Sequence, residues 1–471
     1  MDALKPDLCV IGGGSGGLSV AAGAVQMGAS VVLIEGHKMG GDCLNYGCVP
    51  SKALLAAGKA AYAMTAGAPF GVAPVEPTID YAAAKNHVAS VIAGIEQHDS
   101  VERFEGLGCT VIQDYGRFAD ARTVEAGGKT IKARRFVIAT GSSPWTPPIP
   151  GLDDVGFHTN ETIFELKDKP KHLLVIGGGP IGLEMAQAHR RLGCDVTVLE
   201  AFKALGKDDP ELAAIALDSL RYEGIDIRDG AKVISASRSG DGVTLELEGQ
   251  DAVTGDAILA AVGRRANLEN LNLKVASIKT HKTGIVVDKG LRTTNRRVYA
   301  IGDVAGGLQF THVAGYQAGL VIRSALFRMP VTNRTDHLPW ATYTDPELAQ
   351  VGLTEAEARK KHGAKLEILR FDFAENDRAR AELKTKGLIK VMVVKGKPVG
   401  ASIVGEAAGE QISLWALALS KGLKISDMAG FVAPYPTKME LSKRVAGSFY
   451  TPRLFENDRL KWIVSLLARL G

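Results

Sequence analysis

An α/β fold follows from three observations on this 471-residue chain: a strand–glycine turn–helix–strand unit near the N-terminus, a second copy of it after residue 172, and a change of pattern from about residue 337. Leu8-Cys9-Val10-Ile11 is a short apolar run of the kind that forms a buried parallel strand. Gly12-Gly13-Gly14-Ser15-Gly16-Gly17 follows, then an Ala-rich helical stretch from Leu18 to Met27, a stop at Gly28, and a strand from Ser30 to Glu35. In the second copy the strand is Leu173 to Ile176, the turn is Gly177 to Gly182, the helix runs from Leu183 to Leu192, and Asp195 to Glu200 is the next strand. Beyond His337, Leu388 to Val394 is strand-like and Gln411 to Lys421 helix-like, with no glycine turn of this type, which predicts a third domain.

Glycines 12, 14 and 17 with Glu35, and glycines 177, 179 and 182 with Glu200, each fit G-x-G-x-x-G followed by an acid. Glycine lets the backbone approach a pyrophosphate, and the helix N-terminus offers N–H donors and a positive dipole. The acid accepts a hydrogen bond from a ribose hydroxyl. One such loop is weak evidence, because glycine turns between strands and helices are common. Two, each in its strand–turn–helix setting and each closed by an acid, predict two Rossmann-like dinucleotide-binding domains.

Bulk properties exclude several other classes. Charged residues make up 23% and hydrophobic residues 46%, the balance of an ordinary globular protein. A net charge of +4, with no Lys/Arg block and no aromatic-basic interleaving, argues against nucleic acid as a partner. Residues 1–8 carry no apolar signal core, and no apolar run reaches the ~18 residues of a membrane span, so a cytoplasmic protein is expected. Five cysteines in so long a chain are not a secreted disulfide framework.

The closest cysteine pair, Cys43 and Cys48, lies in Gly41-Asp42-Cys43-Leu44-Asn45-Tyr46-Gly47-Cys48-Val49-Pro50-Ser51-Lys52, a few residues after Glu35. In one regular helix five residues rise by roughly 7.5 Å, beyond the Cα separation a disulfide tolerates. Cys43 is therefore expected in a loop before a helix, or in a distorted first turn, which Gly41 and Gly47 permit. Two buried free thiols, or half of a metal site, are the alternatives. A metal site lacks partners, since Cys9, Cys109 and Cys194 stand singly, so no metal is expected. A redox role suits a pair that directly follows a nucleotide-binding unit.

These residues resemble the pyridine nucleotide-disulfide oxidoreductases of the glutathione reductase, dihydrolipoamide dehydrogenase and mercuric reductase group, to about residue 450. The resemblance rests on both glycine fingerprints, the Gly-Gly-Asp-Cys-(x4)-Cys-Val-Pro-Ser-Lys run, Ala139-Thr140-Gly141, Ala261-Val262-Gly263-Arg264 and Gly302-Asp303. It implies FAD on Gly12, Gly14, Gly17, Glu35, Gly41, Lys52, Thr140, Gly141, Gly302 and Asp303. It implies a nicotinamide cofactor on Gly177, Gly179, Ile181, Gly182, Glu200 and Gly263, with NAD(H) preferred over NADP(H) because Glu200 repels a 2′-phosphate. Cys48 would face the flavin as the charge-transfer thiolate and Cys43 would meet the substrate, with Lys52 and Glu184 paired near the flavin ring. The implied organisation is an FAD domain of residues 1–150 and 266–335, split by an NAD domain of 151–265, then a dimerisation domain of 336–450 in a homodimer.

Two departures bear on the acceptor. Where the family's disulfide reductases carry His-Pro-Thr-x-x-Glu, this chain has Tyr435-Pro436-Thr437-Lys438-Met439-Glu440. Reference pKa values are roughly 6.5 for His and 10 for Tyr, so Tyr435 is a poor base at neutral pH. Thiol–disulfide chemistry needs a thiolate, whereas a thiolate-bound metal ion needs no base. Mercuric reductases share the Tyr, but they also have a cysteine pair near the C-terminus, and here no cysteine follows Cys194. His312 is a candidate substitute base. The expected function is electron transfer from NAD(P)H through Cys43–Cys48 to a disulfide, metal-ion or other small acceptor. The alternatives are a dihydrolipoamide dehydrogenase proper and a catalytically weak, flavin-binding, membrane-docking dimer. The tail, residues 451–471, has apolar residues at helical spacing with basic residues at its ends, and either packs on its own dimer or lies on an anionic membrane.

Overall fold

The computed structural model describes residues 3–240 and 242–469. The chain forms two compact units, one of Met1–Gly178, Met185–Ala201 and Gly230–Arg334, the other of Gly179–Glu184, Phe202–Asp229 and Thr335–Gly471. In the first unit, β1 (Leu8–Ile11) lies between β2 (Val31–Ile34) and the strand Arg135–Ile138, parallel to both. Thr110–Ile112 extends this sheet beyond β2 and Val298–Ala300 extends it at the other side. Every residue of β1 and β2 is buried, as their unbroken apolar runs predict. The period-two geometry of a strand sends Leu8, Val10, Leu33 and Val137 into one core with Leu18 and Ala21. Cys9, Ile11, Val32, Ile34 and Phe136 enter a second core on the opposite face.

Helix α1 (Ser15–Gln26) packs on the first of these faces. It begins three residues before the apolar stretch that marks it in the sequence, so Gly16 and Gly17 are helical. The second fingerprint behaves alike, with its helix spanning Pro180–Arg191. Pro180 suits a first helical turn, where its missing N–H is not needed. A second parallel sheet sets His172–Ile176 between Asp195–Glu200 and Ala257–Ala260. The antiparallel strands Val233–Ser239, Gly242–Leu247 and Gln250–Gly255 form a separate small sheet.

The second unit carries a five-stranded antiparallel sheet in the order Pro339–Thr342, Glu347–Gly352, Lys397–Gly405, Leu388–Val394, Leu366–Asp372. The helices Ala408–Lys421 and Glu440–Ser448 share its core, where the fully buried Trp415 donates its indole N–H to Ser442 Oγ at 3.0 Å. This is the α+β arrangement expected for the C-terminal third. Inside it, the buried Lys390 ammonium meets Asp209 at 2.9 Å, Glu211 at 2.9 Å and Glu355 at 2.7 Å. Asp209 also caps the helix Pro210–Tyr222, accepting from the Glu211 and Leu212 N–H groups. Removing the cation strands a buried carboxylate, so Lys390→Met is expected to cost about 3–5 kcal/mol in equilibrium unfolding. An unchanged denaturation midpoint would contradict that.

The tail continues as two short helices, Thr451–Phe455 and Asp458–Leu467. Arg453 ties the first down, pairing with Glu367 at 2.5 Å and lying over the Phe449 ring. Phe455 and Trp462 are exposed. Leu470 and Gly471 lie outside the described residues. Among the described residues, no helix is long and apolar enough to cross a membrane.

Candidate active site around Cys43 and Cys48

The glycines of the first fingerprint separate into two kinds. Gly12 has a φ of +111°, and a Cβ there would sit 2.4 Å from the Ala139 carbonyl oxygen. A Cβ on Gly17 would lie 1.8 Å from the Gly12 oxygen. The backbone itself forbids a side chain at these two positions. Gly14 differs, since its Cβ would meet nothing nearer than the Gly41 Cα at 3.7 Å. The second fingerprint repeats the distinction: Gly177, φ +113°, would clash with the Ala261 oxygen at 2.5 Å, while Gly179 meets nothing within 4 Å. The middle glycine thus leaves open the face on which a pyrophosphate must approach. No side chain caps the N-terminus of α1, so its first N–H groups are available to an anion. Glu35 closes the loop by accepting from the Gly13 N–H, and Glu200 accepts from the Gly178 N–H at 2.8 Å. The residues therefore fit a dinucleotide in each loop.

The cysteine segment is stitched to the first loop. Gly40 donates its N–H to the Gly13 carbonyl at 2.9 Å, and Gly41, φ +60°, passes so close to Gly14 that a Cβ would lie 2.7 Å from the Gly14 Cα. Helix α2 (Gly41–Asn45) carries Cys43, and helix α3 (Cys48–Thr65) starts on Cys48. The helical path breaks at Gly47, φ −124° and ψ −110°, which folds the two sulfurs together where a continuous helix would separate them. Cys43 thus sits on its own short turn of helix and not in a loop.

Both thiols are free, and each acts on the ionisation of the other. The Cys43 thiol is the largest influence on Cys48 and pulls its pKa down to about 6, against the cost of burial. The Thr311 hydroxyl, 3.5 Å from Cys48 Sγ, and the charge of Lys52 one helical turn along α3 act the same way, while the Asp42 carboxylate opposes them. The Cys43 thiol is pushed far up, first by Cys48 and then by burial. Cys48 is the more exposed of the two. Cys9, Cys109 and Cys194 are buried, and burial raises the pKa of each.

A polar cluster adjoins the pair. Arg264 Nη2 meets Asp42 Oδ1 at 2.9 Å, its Nε donates to Ser142 Oγ at 2.8 Å, and the same nitrogen lies 4.0 Å from Asp303 Oδ2. Asp303 stands in the turn Gly302–Ala305, where Gly302 takes a φ of +68°. Burial raises its carboxyl pKa, opposed by the Ser142 hydroxyl and Arg264. Thr140 and Asn267 hold each other by reciprocal side-chain to carbonyl bonds of 2.8 and 3.0 Å, which fixes the bend at Gly141, φ +67°. Gly263, φ +134°, precedes Arg264 and has open space at its Cα.

Glu184 is buried and accepts from the Tyr343 N–H at 2.9 Å. Ile181 is partly exposed in the first turn of its helix. Tyr435 is exposed and donates its hydroxyl to Asp377 Oδ2 at 3.1 Å, and this bond raises its pKa above the ordinary tyrosine value. Glu440 begins the helix Glu440–Ser448. His312 stacks on Phe310 beside Thr311. Sequence reasoning gave no role to Asp42, Ser142, Asn160 or Thr311, and quoted Arg264 only as part of a motif. Asp42 and Arg264 were visible inside those motifs, whereas Asn160 and Thr311 lack any local signal.

Residues 6–318 match the family described as pyridine nucleotide-disulphide oxidoreductase, and residues 338–446 match the dimerisation domain of the same family. The chain is 35% identical to a mercuric reductase of Staphylococcus aureus over 452 residues, covering 94% of this chain and 82% of the relative. It is 36% identical to a dihydrolipoyl dehydrogenase of Thermus scotoductus over 459 residues, covering 92% and 95%. A solved structure, the Cu(II) complex of the HOCl-induced flavoprotein disulfide reductase RclA from Escherichia coli, superposes with a TM-score of 0.85 at 27% identity, covering 95% of this chain and 100% of that one. The fold, the paired nucleotide loops and these matches together make the chain a member of the pyridine nucleotide-disulphide oxidoreductases, FAD-dependent enzymes that act on NAD(P)H.

Proposed function

We propose that this enzyme takes electrons from NADH and delivers them through the Cys43–Cys48 pair to a thiophilic metal ion or another acceptor that needs no protein base. The observation that carries this reading is the Tyr435 hydroxyl, which donates a hydrogen bond to Asp377 and is held more firmly protonated than an ordinary tyrosine. A general base must take protons near the working pH, and this one cannot. Relatives named as mercuric reductases and a neighbour solved as a Cu(II) complex lean the same way.

FAD, when bound, supplies the two-electron link between the nicotinamide and the cysteine pair. Gly12, Gly14 and Gly17 would admit its pyrophosphate to the N-terminus of α1, Glu35 would take a ribose, and Gly41, Thr140, Gly141, Gly302, Asp303 and Lys52 would line the rest. Gly177, Gly179, Ile181, Gly182 and Gly263 would receive the nicotinamide cofactor. Glu200, an acid at the tip of its strand, favours a free 2′-hydroxyl and so NADH. Cys48, with a pKa lowered to about 6, would face the flavin as the thiolate, and the Lys52 charge would compensate it. Glu184 would supply the carboxylate that pairs with Lys52. Cys43 is the thiol that the acceptor meets. Each turnover oxidises one NADH and leaves two electrons on the acceptor. In this reading residues 1–150 and 266–335 bind FAD, 151–265 bind NAD, and 336–450 form a homodimer in which the partner's Tyr435 and Glu440 complete the site and the tail from residue 451 packs on its own dimer.

The test compares NADH-dependent reduction of Hg(II), Cu(II) and lipoamide by wild type and Tyr435→His. Wild-type lipoamide turnover is expected to lie on the order of 100-fold or more below that of Tyr435→His, with metal-dependent NADH oxidation retained by wild type. Wild-type lipoamide turnover equal to that of the His variant would show a dihydrolipoamide dehydrogenase instead.

A further inference from the structure

The segment between the two cysteines is gripped by residues far away in the chain. Asn160 donates through Nδ2 to Asp42 Oδ1 at 3.1 Å and to the Tyr46 carbonyl at 3.0 Å, so one amide holds both ends of α2. Arg264 meets the same Asp42 oxygen at 2.9 Å and approaches Asn160 Oδ1 at 3.4 Å. Its side chain is only 13% exposed, and a second carboxylate, Asp303, lies 4.0 Å from its Nε. Asp42 is the residue immediately before Cys43 and a negative charge that opposes ionisation of Cys48. We propose that Asp42, Arg264 and Asn160 form a charge clamp on the redox segment, in which Arg264 and Asn160 hold the Asp42 carboxylate next to Cys43 and Arg264 sets how much of its charge the cysteine pair feels.

The proposal rests on the reading of Cys48 as the working thiolate, and concerns positioning residues rather than catalytic ones. The groups bearing on Cys48 can be named from each element around it. Helix α2 brings Cys43 and Asp42, helix α3 brings Lys52, and the helix Thr311–Phe327 brings the Thr311 hydroxyl and carries His312 beside it. Lys52 is a fixed favourable charge. Asp42 is the adjustable one, because its partner is shared: Arg264 faces two carboxylates and neutralises Asp42 only in part. A neighbouring charge moves a pKa by up to about 1–3 units, and solvent at the 34% exposed Asp42 side chain keeps the effect at the low end of that range. Loss of Arg264 therefore unmasks Asp42 and suppresses the Cys48 thiolate, and loss of the Asp42 charge does the reverse. The substitution Asp42→Asn removes that charge while its amide preserves the shape of the clamp, so a purely structural role predicts no change there.

The experiment is the pH dependence of iodoacetamide alkylation at Cys48 in the dithiol protein, located by peptide mass mapping, with FAD content and circular dichroism recorded beside it. Asp42→Asn is expected to lower the midpoint by about one unit and Arg264→Gln to raise it by about one unit. The double variant is expected to follow Asp42→Asn, because the charge that Arg264 masks is then gone. Arg264→Lys, which keeps the charge, guards against a variant that fails to fold and should stay near wild type. Midpoints that coincide in wild type, Asp42→Asn and a folded Arg264→Gln would overturn the clamp. The titration reads the thiol directly. Turnover surviving Cys48→Ser would therefore remove the relay while leaving this result standing or falling by itself.

Discussion

Cys48→Ser is expected to lose acceptor reduction by at least about three orders of magnitude while still binding FAD. A serine hydroxyl has no anion near neutral pH, and the thiolate is the reactive form of cysteine. Cys43→Ala probes the other half of the pair. Its thiol is the largest influence holding Cys48 down at about 6, so its removal should move the Cys48 midpoint up toward the ordinary 9.0. The sign is that of a depressed acid: in wild type the thiolate is present above about 6 and lost as pH falls through that value. Alkylation of Cys48 near pH 7 should accordingly be fast in wild type and at least about tenfold slower in Cys43→Ala. Equal rates would mean that the two thiols do not share a proton. Activity that persists in Cys48→Ser would mean that electrons leave the flavin by another route.

Gly17→Val and Gly14→Val are expected to fail in different ways. A Cβ at Gly17 would stand 1.8 Å from the Gly12 oxygen, inside the contact of α1 with the loop. That variant should lose FAD and much of its thermal stability, since neither backbone can yield without breaking the strand–helix packing. A Cβ at Gly14 meets protein only at 3.7 Å. The apo form of that variant should unfold within a few degrees of wild type, whereas FAD affinity should fall about 30-fold or more, the loss of about 2 kcal/mol of contact to the loop N–H groups. Flavin absorbance after dialysis and thermal unfolding of the apo protein read the two effects separately. Equal FAD retention in Gly14→Val and wild type would take the pyrophosphate away from this loop.

The elements that local chemistry dictates were legible without coordinates. Four consecutive apolar residues make Leu8–Ile11 a strand buried on both faces, and a glycine turn with an acid twenty-odd residues on marks each nucleotide loop. The strand Leu388–Val394 was readable to the residue. Helix starts were not: Gly16, Gly17 and Gly182 read as turn but lie inside helices, because packing on the sheet outweighs the weak helix propensity of glycine.

The sequence by itself determined the two nucleotide loops, the proximity of Cys43 and Cys48 to the first of them, and the tyrosine that stands where a base is usual. Only the tertiary structure decided which groups govern the thiols. Thr311 reaches Cys48 across 263 residues and Asn160 reaches Asp42 across 118. Contacts of that separation leave no periodic trace in the chain, since they depend on how whole elements pack and not on the residues beside them. The break at Gly47 is the converse case, a local geometry that composition permits and that only the packing of α2 and α3 selects.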